Sequence, residues 1–121
     1  MKLHEYAPRQ LNVISAYRTG RISIGGRHFE APLILAPAAL HAEWIASQSQ
    51  LDLASLAPLW ATEPRIVLLG GSPLDVAIAR ALRPEFARRG AALEAMDLGA
   101  ACRTYNVLAQ EDRAVAALLF P

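Results

Sequence analysis

The 121-residue sequence is poor in cysteine and lysine, with one of each, and its unbroken apolar runs are only a few residues long. A lone cysteine, Cys102, excludes an internal disulfide framework and a cysteine-cluster metal site. The short apolar runs exclude a transmembrane helix, and the N-terminal residues lack the apolar stretch of a signal peptide. We therefore expect an intracellular protein of a reducing compartment, in the cytoplasm and without membrane insertion.

Charge is also scarce, because charged residues make up 19% of the chain and nearly cancel to a net charge of +1. No basic run is longer than Arg88-Arg89, so the sequence shows no basic patch of the kind that binds nucleic acid. The histidines show no pair at the spacing of metal ligands, and we expect neither a metal nor another cofactor. A hydrophobic content of 54% argues against disorder. The length fits one domain, placed at residues 12–121 after an exposed arm of residues 1–11.

The first half of the chain predicts antiparallel strands. Residues 12–18 are rich in β-branched and aromatic side chains, which is typical of a strand. Residues 21–29 predict a β-hairpin with Gly25-Gly26 as its two-residue loop, because both glycines can adopt the positive φ of a primed turn. Residues 33–36 form a short apolar run that predicts a buried strand.

The second half alternates strands with helices, which favours an α/β fold. We expect a single three-layer domain, with a mixed central sheet flanked by helices and an additional N-terminal antiparallel hairpin. The last strand is apolar on both faces and is expected to be central. The predicted strands cover 65–69, 92–96 and 113–120. The predicted helices begin with one over 52–60, with Asp52 as N-cap, and one from 74 that breaks near Arg83. A second short helix from Pro84 closed by Gly90 follows, and then a helix from Asp97 through Gln110.

The loop Gly70-Gly71-Ser72 joins a predicted strand to a predicted helix. Anions and nucleotides bind where the carboxyl end of a strand faces a helix N-terminus. The loop lacks the spacing of a dinucleotide fingerprint and the lysine of a P-loop. The alternative is a tight turn that needs glycine for its backbone angles.

The helix capped by Asp97 carries the other candidate residues. Cys102 lies early in this helix, where the N-terminus can lower the pKa of a thiol and create a nucleophile. No histidine is near it in sequence to act as a base, so a small buried side chain is the alternative. Arg103, Asn106 and Gln110 recur at i, i+3, i+7 and predict either a recognition stripe or a solvated face. We assign no catalytic residue.

The C-terminal third contains the string Ala101-Cys102-Arg103-Thr104-Tyr105-Asn106-Val107-Leu108, followed by Glu111, Arg113 and a final apolar strand. Together with weaker similarities around Gly25, 33–37, Trp44 and 67–70, this pattern resembles a family of small domains of unknown function. The family is widespread in bacteria and archaea and includes the mitochondrial complex I assembly factor 3 and an adipogenesis-associated animal protein. The resemblance covers nearly the whole chain. It implies a three-layer α/β fold with a mixed sheet, and no established enzyme activity.

The resemblance implies a non-enzymatic protein-interaction module with a protein partner such as a respiratory-complex subunit. The interaction residues that it implies are Cys102, Arg103, Tyr105, Asn106 and Glu111. One departure concerns the loop after the central strand, which usually reads Gly-Thr-Gly in the family and ends here in a serine. The alternative function is a small-molecule or anion binder or enzyme that uses this loop with the helix of the cysteine. An exposed edge strand would also permit a homo-oligomer.

Overall fold

The computed structural model describes residues 11–121, so the predicted arm lies outside the described residues except for Leu11. Eight strands form two separate sheets. The strands are β1 (Ile14–Arg18), β2 (Arg21–Ile24), β3 (Arg27–Phe29), β4 (Leu33–Ala36), β5 (Ala39–His41), β6 (Ile66–Gly71), β7 (Ala92–Asp97) and β8 (Val115–Phe120).

The smaller sheet has the antiparallel order β1-β2-β3, and the larger one has the order β5-β4-β8-β6-β7. In the larger sheet β8 is parallel to β6 and antiparallel to β4, and β6 is parallel to β7. Every residue of β8 is buried, as expected for a central strand that is apolar on both faces. The prediction of a mixed sheet with β8 at its centre is confirmed.

The helices α1 (Ala57–Trp60), α2 (Val76–Arg88) and α3 (Leu98–Gln110) cover the two faces of the larger sheet. One apolar cluster joins α3 and the smaller sheet to the face that carries Leu33 and Leu35. A second cluster joins α1 and α2 to the opposite face, which carries Ile34. Neighbouring residues of one strand enter opposite clusters because side chains alternate across a sheet. The result is the expected three-layer α/β fold.

The predicted hairpin of β2 and β3 is confirmed in its register. Gly25 and Gly26 have φ values of +57° and +80°. The two-residue loop aligns Ser23 with His28 and leaves Ile22 facing the core. Loop length therefore determines which side chains of this sheet are buried.

The predicted break of the second helix at Pro84 is wrong, since α2 continues through this residue to Arg88. Proline cannot donate to the carbonyl of Arg80, but both residues are exposed, so water can solvate that carbonyl. Buried residues before and after the proline hold both halves against the sheet. They are Ala79, Leu82 and Phe86.

The helix ends where it was predicted to end, at the glycine that follows it. Gly90 has a φ of +77°. The N–H of Ala91 then donates to the carbonyl of Phe86 over 3.0 Å, which closes the last turn. The chain can therefore leave α2 directly into β7.

The helix predicted over residues 52–60 is interrupted, and the prediction of one regular helix is wrong. The Asp52 carboxylate does cap the turn, because its Oδ1 accepts from the N–H of Ser55 over 2.8 Å. A 3-10 turn over Ala54–Leu56 follows, and only then α1. Pro58 lies in the first turn of α1, where a missing N–H costs no intrahelical hydrogen bond, so it favours the start of a new helix at this point.

Candidate functional site

Helix α3 is the element around which the candidate residues gather. Its N-cap is Asp97, as predicted, and the carboxylate oxygen Oδ1 accepts from the N–H of Ala100 over 2.8 Å. One face of α3 packs on the larger sheet, and the edge of that face meets β1. The buried residues of α3 are Leu98, Ala101, Cys102, Tyr105 and Ala109.

Tyr105 connects α3 to the segment before β1. Its side chain is fully buried, and its hydroxyl donates to the backbone carbonyl of Asn12 over 2.7 Å. Burial raises the pKa of Tyr105, so the hydroxyl remains a donor at physiological pH. The side chain of Asn12 in turn donates to the carbonyls of Ala36 and Ala39 over 3.0 and 3.1 Å. One chain of hydrogen bonds thus joins α3 to the turn between β4 and β5.

Asn106 binds the backbone of β1 with both ends of its side-chain amide. Oδ1 accepts from the N–H of Ile14, and Nδ2 donates to the carbonyl of the same residue, each over 2.8 Å. The pairing of β1 with β2 is irregular between Ile14 and Ala16. The polar stripe predicted on α3 therefore divides, because Asn106 faces β1 whereas Gln110 is exposed.

Arg103 lies at the exposed edge of the same contact. Its Nη1 donates to the hydroxyl oxygen of Tyr17 over 2.6 Å, and its guanidinium lies 5.9 Å from the centre of that ring. The pKa of Arg103 is raised, chiefly by this hydrogen bond. Arg103 thus contacts β1 and still presents charge to solvent.

Cys102 is fully buried in the cluster between α3 and the larger sheet. Burial raises the pKa of its thiol to about 11, and the nearby charge of Arg103 opposes this only in part. The thiol is therefore neutral near pH 7 and is not a poised nucleophile. The structure therefore favours the alternative interpretation, in which Cys102 is a small buried side chain of the core.

The prediction of Gly70-Gly71-Ser72 as a loop is wrong for its glycines, because Gly70 and Gly71 are the last residues of β6 and pair with β7 and β8. Both glycines are needed for close packing. A Cβ on Gly70 would collide with the Cβ of Ala101. A Cβ on Gly71 would lie 2.6 Å from Nε2 of Gln48 and 2.9 Å from the carbonyl oxygen of Pro73. Neither glycine has a positive φ. Both glycines therefore allow neighbouring groups to approach the end of β6 closely, and the alternative of a tight turn that needs glycine for its backbone angles is wrong.

A cleft of about 650 Å³ opens beside this loop and includes Ser72 in its wall. The Gln48 amide donates to the Pro73 carbonyl and accepts from the N–H of Asp75, each over 2.7 Å. Among the described residues of the lining, the charged side chains are Glu30 and Asp75, both acidic. These carboxylates disfavour an anion in the cleft.

The end of β6 and the helix of Cys102 contact each other through small groups and not through the candidate functional side chains. Gly70 lies against Leu98 and Ala101, but neither Cys102 nor Arg103 is among the described residues that line the cleft. A ligand in the cleft would therefore not reach the thiol.

Glu111 stands just after α3, where its N–H donates to the carbonyl of Val107 over 3.1 Å. Its side chain is exposed. Glu111, Asp112 and Arg113 form no ion pairs with one another in the described part of the chain. Asp112 has a φ of +62°, in the left-handed region, so the chain turns there.

A further cleft, of about 680 Å³, opens at the opposite end of the larger sheet beside β5. Its lining is largely apolar, with His41, Thr62, Asp112 and Arg113 as polar members. Within residues 11–121, no group of three or more potential ligands could hold a metal ion. In the same range, no helix has the length and apolar content needed to cross a bilayer.

Sequence reasoning missed Asn12, Tyr17 and Gln48, which complete these contacts. Gln48 lies in the stretch of residues 38–50, where the sequence has no periodic pattern. Asn12 and Tyr17 lie in or near a strand predicted only from its composition. Nothing local in the sequence indicates that partners about 90 residues away would meet them, so no signal could have found them.

The two sheets and the contacts of α3 define a small α/β domain whose distinctive residues hold its own layers together. The chain belongs to a family described as "Protein of unknown function (DUF498/DUF598)", whose model matches residues 14–120. The resemblance expected from the C-terminal string is thereby confirmed.

The relatives include NADH dehydrogenase [ubiquinone] 1 alpha subcomplex assembly factor 3 of Danio rerio, which is 31% identical over 90% of this chain. The chain covers 64% of that protein, less than two thirds of its length. A crystal structure of a Bordetella parapertussis protein matches this fold with a TM-score of 0.79 at 30% identity. The match covers 94% of this chain and 98% of the Bordetella chain. A Mth938-like domain of Bordetella pertussis has a TM-score of 0.75 at 28% identity and covers 100% and 92% of the two chains.

Proposed function

We propose that this chain is a non-enzymatic protein-interaction module that assists the assembly of a respiratory complex. The observation that carries the proposal is the similarity to an assembly factor of NADH dehydrogenase, at 31% identity over 90% of the chain. Its partner would be a subunit of such a complex or another factor of its assembly.

The geometry of α3 supports a role without catalysis. The thiol of Cys102 is buried, and the polar side-chain atoms of Tyr105 and Asn106 form hydrogen bonds with the backbone of this same chain. These three residues hold the module together. Arg103 and Glu111, which are exposed, are the members of the predicted set that remain available to a partner.

The experiment is the deletion of the gene in the source organism, followed by native gels of solubilised membranes stained for NADH dehydrogenase activity. We expect less assembled complex in the deletion strain and recovery with the wild-type gene. In parallel, the tagged chain should retain respiratory-complex subunits from solubilised membranes. An unchanged amount of complex together with no retained subunit would refute the proposal.

The alternative, a small-molecule or anion binder at Gly70-Gly71-Ser72, has less support. The cleft beside the loop carries acidic side chains, and Gln48 already accepts from the N–H of Asp75. Thermal unfolding with nucleotides and acidic metabolites tests this alternative. A rise in Tm that a Gln48→Ala substitution changes would favour it over assembly.

A further inference from the structure

Two arginines face each other directly across the first turn of the smaller sheet. Arg18 at the end of β1 pairs with Arg21 at the start of β2 in the antiparallel register. Like charges at directly opposite positions destabilise a strand pair. The pairing of these two charges therefore does not stabilise the fold. We take it as an indication that a ligand of opposite charge binds the two arginines.

The two arginines border a concavity on the outer face of the smaller sheet. Its volume is about 210 Å³, and its described lining is Ala16, Tyr17, Arg18, Arg21, Ser23 and His28. The outer face follows from the alternation along β2, because the isoleucines on either side of Ser23 are buried in the core. The Ser23 hydroxyl and Nδ1 of His28 are 2.7 Å apart, so a hydrogen bond orders the floor.

Arg21, which lines this concavity, has hydrogen-bonding capacity that the described part of the chain leaves unused. Its Nη2 donates to Oε2 of Glu30 over 3.1 Å. Its Nε is buried, and within residues 11–121 no acceptor satisfies it. An unsatisfied buried donor is costly, and an added carboxylate could relieve that cost. A guanidinium can use Nε and Nη together on one carboxylate.

The charge of the surface fits an acidic protein segment better than nucleic acid. The outer face of the smaller sheet carries two arginines, Arg18 and Arg21, and the one carboxylate beside them is Glu30, just after β3. Arg103 adds a further exposed charge beside Tyr17. A few forked guanidinium groups suit individual carboxylates, whereas a polynucleotide needs a longer basic stripe.

We propose that the outer face of the smaller sheet, centred on Arg18 and Arg21, docks an acidic segment of the partner protein through its carboxylates. This inference rests on the proposed function, because it names the surface by which the module would hold its partner. The predicted interaction residue Arg103 lies beside this surface, through its contact with Tyr17.

The test uses the full chain and a fluorescein-labelled hexaglutamate peptide, with binding followed by fluorescence anisotropy at low ionic strength. We expect saturable binding that weakens as salt is added. The double substitution Arg18→Gln and Arg21→Gln should weaken binding about tenfold, because it removes charge-assisted hydrogen bonds. The same variant should unfold at nearly the same denaturant concentration as the wild type, since it loses the exposed ion pair of Arg21 with Glu30 and also relieves the opposition of like charges.

The matched control is the double substitution Arg65→Gln and Arg80→Gln, which removes the same charge from exposed positions elsewhere. This control should bind the peptide as the wild type does. Equal weakening in both variants would overturn the proposal, because bulk charge would then explain binding. Equal binding of hexaglutamine or of hexathymidylate, or no binding of hexaglutamate, would also overturn it.

The failure of this inference can be separated from the failure of the proposed function. If the wild type retains respiratory-complex subunits and the Arg18→Gln, Arg21→Gln variant retains as much, the docking surface is refuted while the assembly role stands. If the wild type retains none and gene deletion changes nothing, the assembly role itself fails.

Discussion

Asn106 on α3 holds Ile14 on β1 by two hydrogen bonds of 2.8 Å, one to its N–H and one to its carbonyl. The two residues are 92 positions apart in the chain. The side-chain amide thus makes the two backbone hydrogen bonds that a neighbouring strand would otherwise make, and it links the smaller sheet to the helix.

Loss of this amide should destabilise the whole domain. The substitution Asn106→Ala leaves the N–H and carbonyl of Ile14 without their partner, and Ile14 is only 5% exposed. We expect the free energy of unfolding to fall by about 2 kcal/mol, the scale of an unsatisfied buried polar group. Urea denaturation measures the change. Gln110→Ala, at an exposed position of the same helix, should leave the midpoint unchanged, and an equal effect of both would contradict the assignment.

Cys102 should make the protein less stable in alkali. The pKa of its thiol rises from 9.0 to about 11 on folding. Above pH 9 the unfolded chain therefore loses a proton that the folded chain keeps, and stability falls as pH rises toward 11. Unfolding is measured between pH 9 and pH 10. Because a free tyrosine has a pKa of 10.0 and burial raises the pKa of Tyr105, Tyr105 lowers stability over the same interval, so the contribution of Cys102 is the difference from a variant that lacks the thiol.

The control for the alkaline effect is Cys102→Ala, which lacks the ionisable group. Its stability should change less over the same interval, whatever its absolute value. Fast alkylation of the wild-type thiol at neutral pH, in the folded state, would contradict the burial on which the prediction depends.

Gly70 and Ala101 should behave as a coupled pair. The substitution Gly70→Ala forces its new Cβ against that of Ala101, at a backbone that cannot yield easily. Overpacking of this kind costs about 1–3 kcal/mol. Adding Ala101→Gly should recover part of that loss, although it alone destabilises α3 by roughly 1 kcal/mol. Strictly additive effects in a double-mutant cycle would show that the two positions do not interact.

Pro84 should be a position where substitution stabilises the protein. It lies inside α2 on an exposed face, where it removes one backbone hydrogen bond of the helix. The substitution Pro84→Ala restores the donor and the helix propensity, and we expect a gain of about 1 kcal/mol after the added freedom of the unfolded chain is subtracted. Thermal unfolding measures the gain. Ala87→Pro, one turn later, should instead destabilise, and a neutral Pro84→Ala would count against the continuous helix.

Features that depend only on neighbouring residues could be predicted before the fold was known. The loop of Gly25 and Gly26 fixed the register of its hairpin, because two positive φ values in a two-residue loop permit few alternatives. Asp97 fixed the start of α3, and Gly90 fixed the end of α2, because a carboxylate and a glycine satisfy helix ends locally. Apolar runs located the central strands, since only buried strands are apolar on both faces.

Tertiary structure alone decided what those elements meet. Periodicity marked the polar stripe of α3, but it could not tell that Asn106 faces Ile14 while Gln110 faces water. In the same way, no local pattern could indicate that Gly71 packs against Gln48, because Gln48 lies in a segment without any periodicity. Packing also kept α2 intact across Pro84, because buried residues before and after the proline outweigh one missing hydrogen bond. Such outcomes depend on contacts between distant parts of the chain, whose energies no local pattern contains.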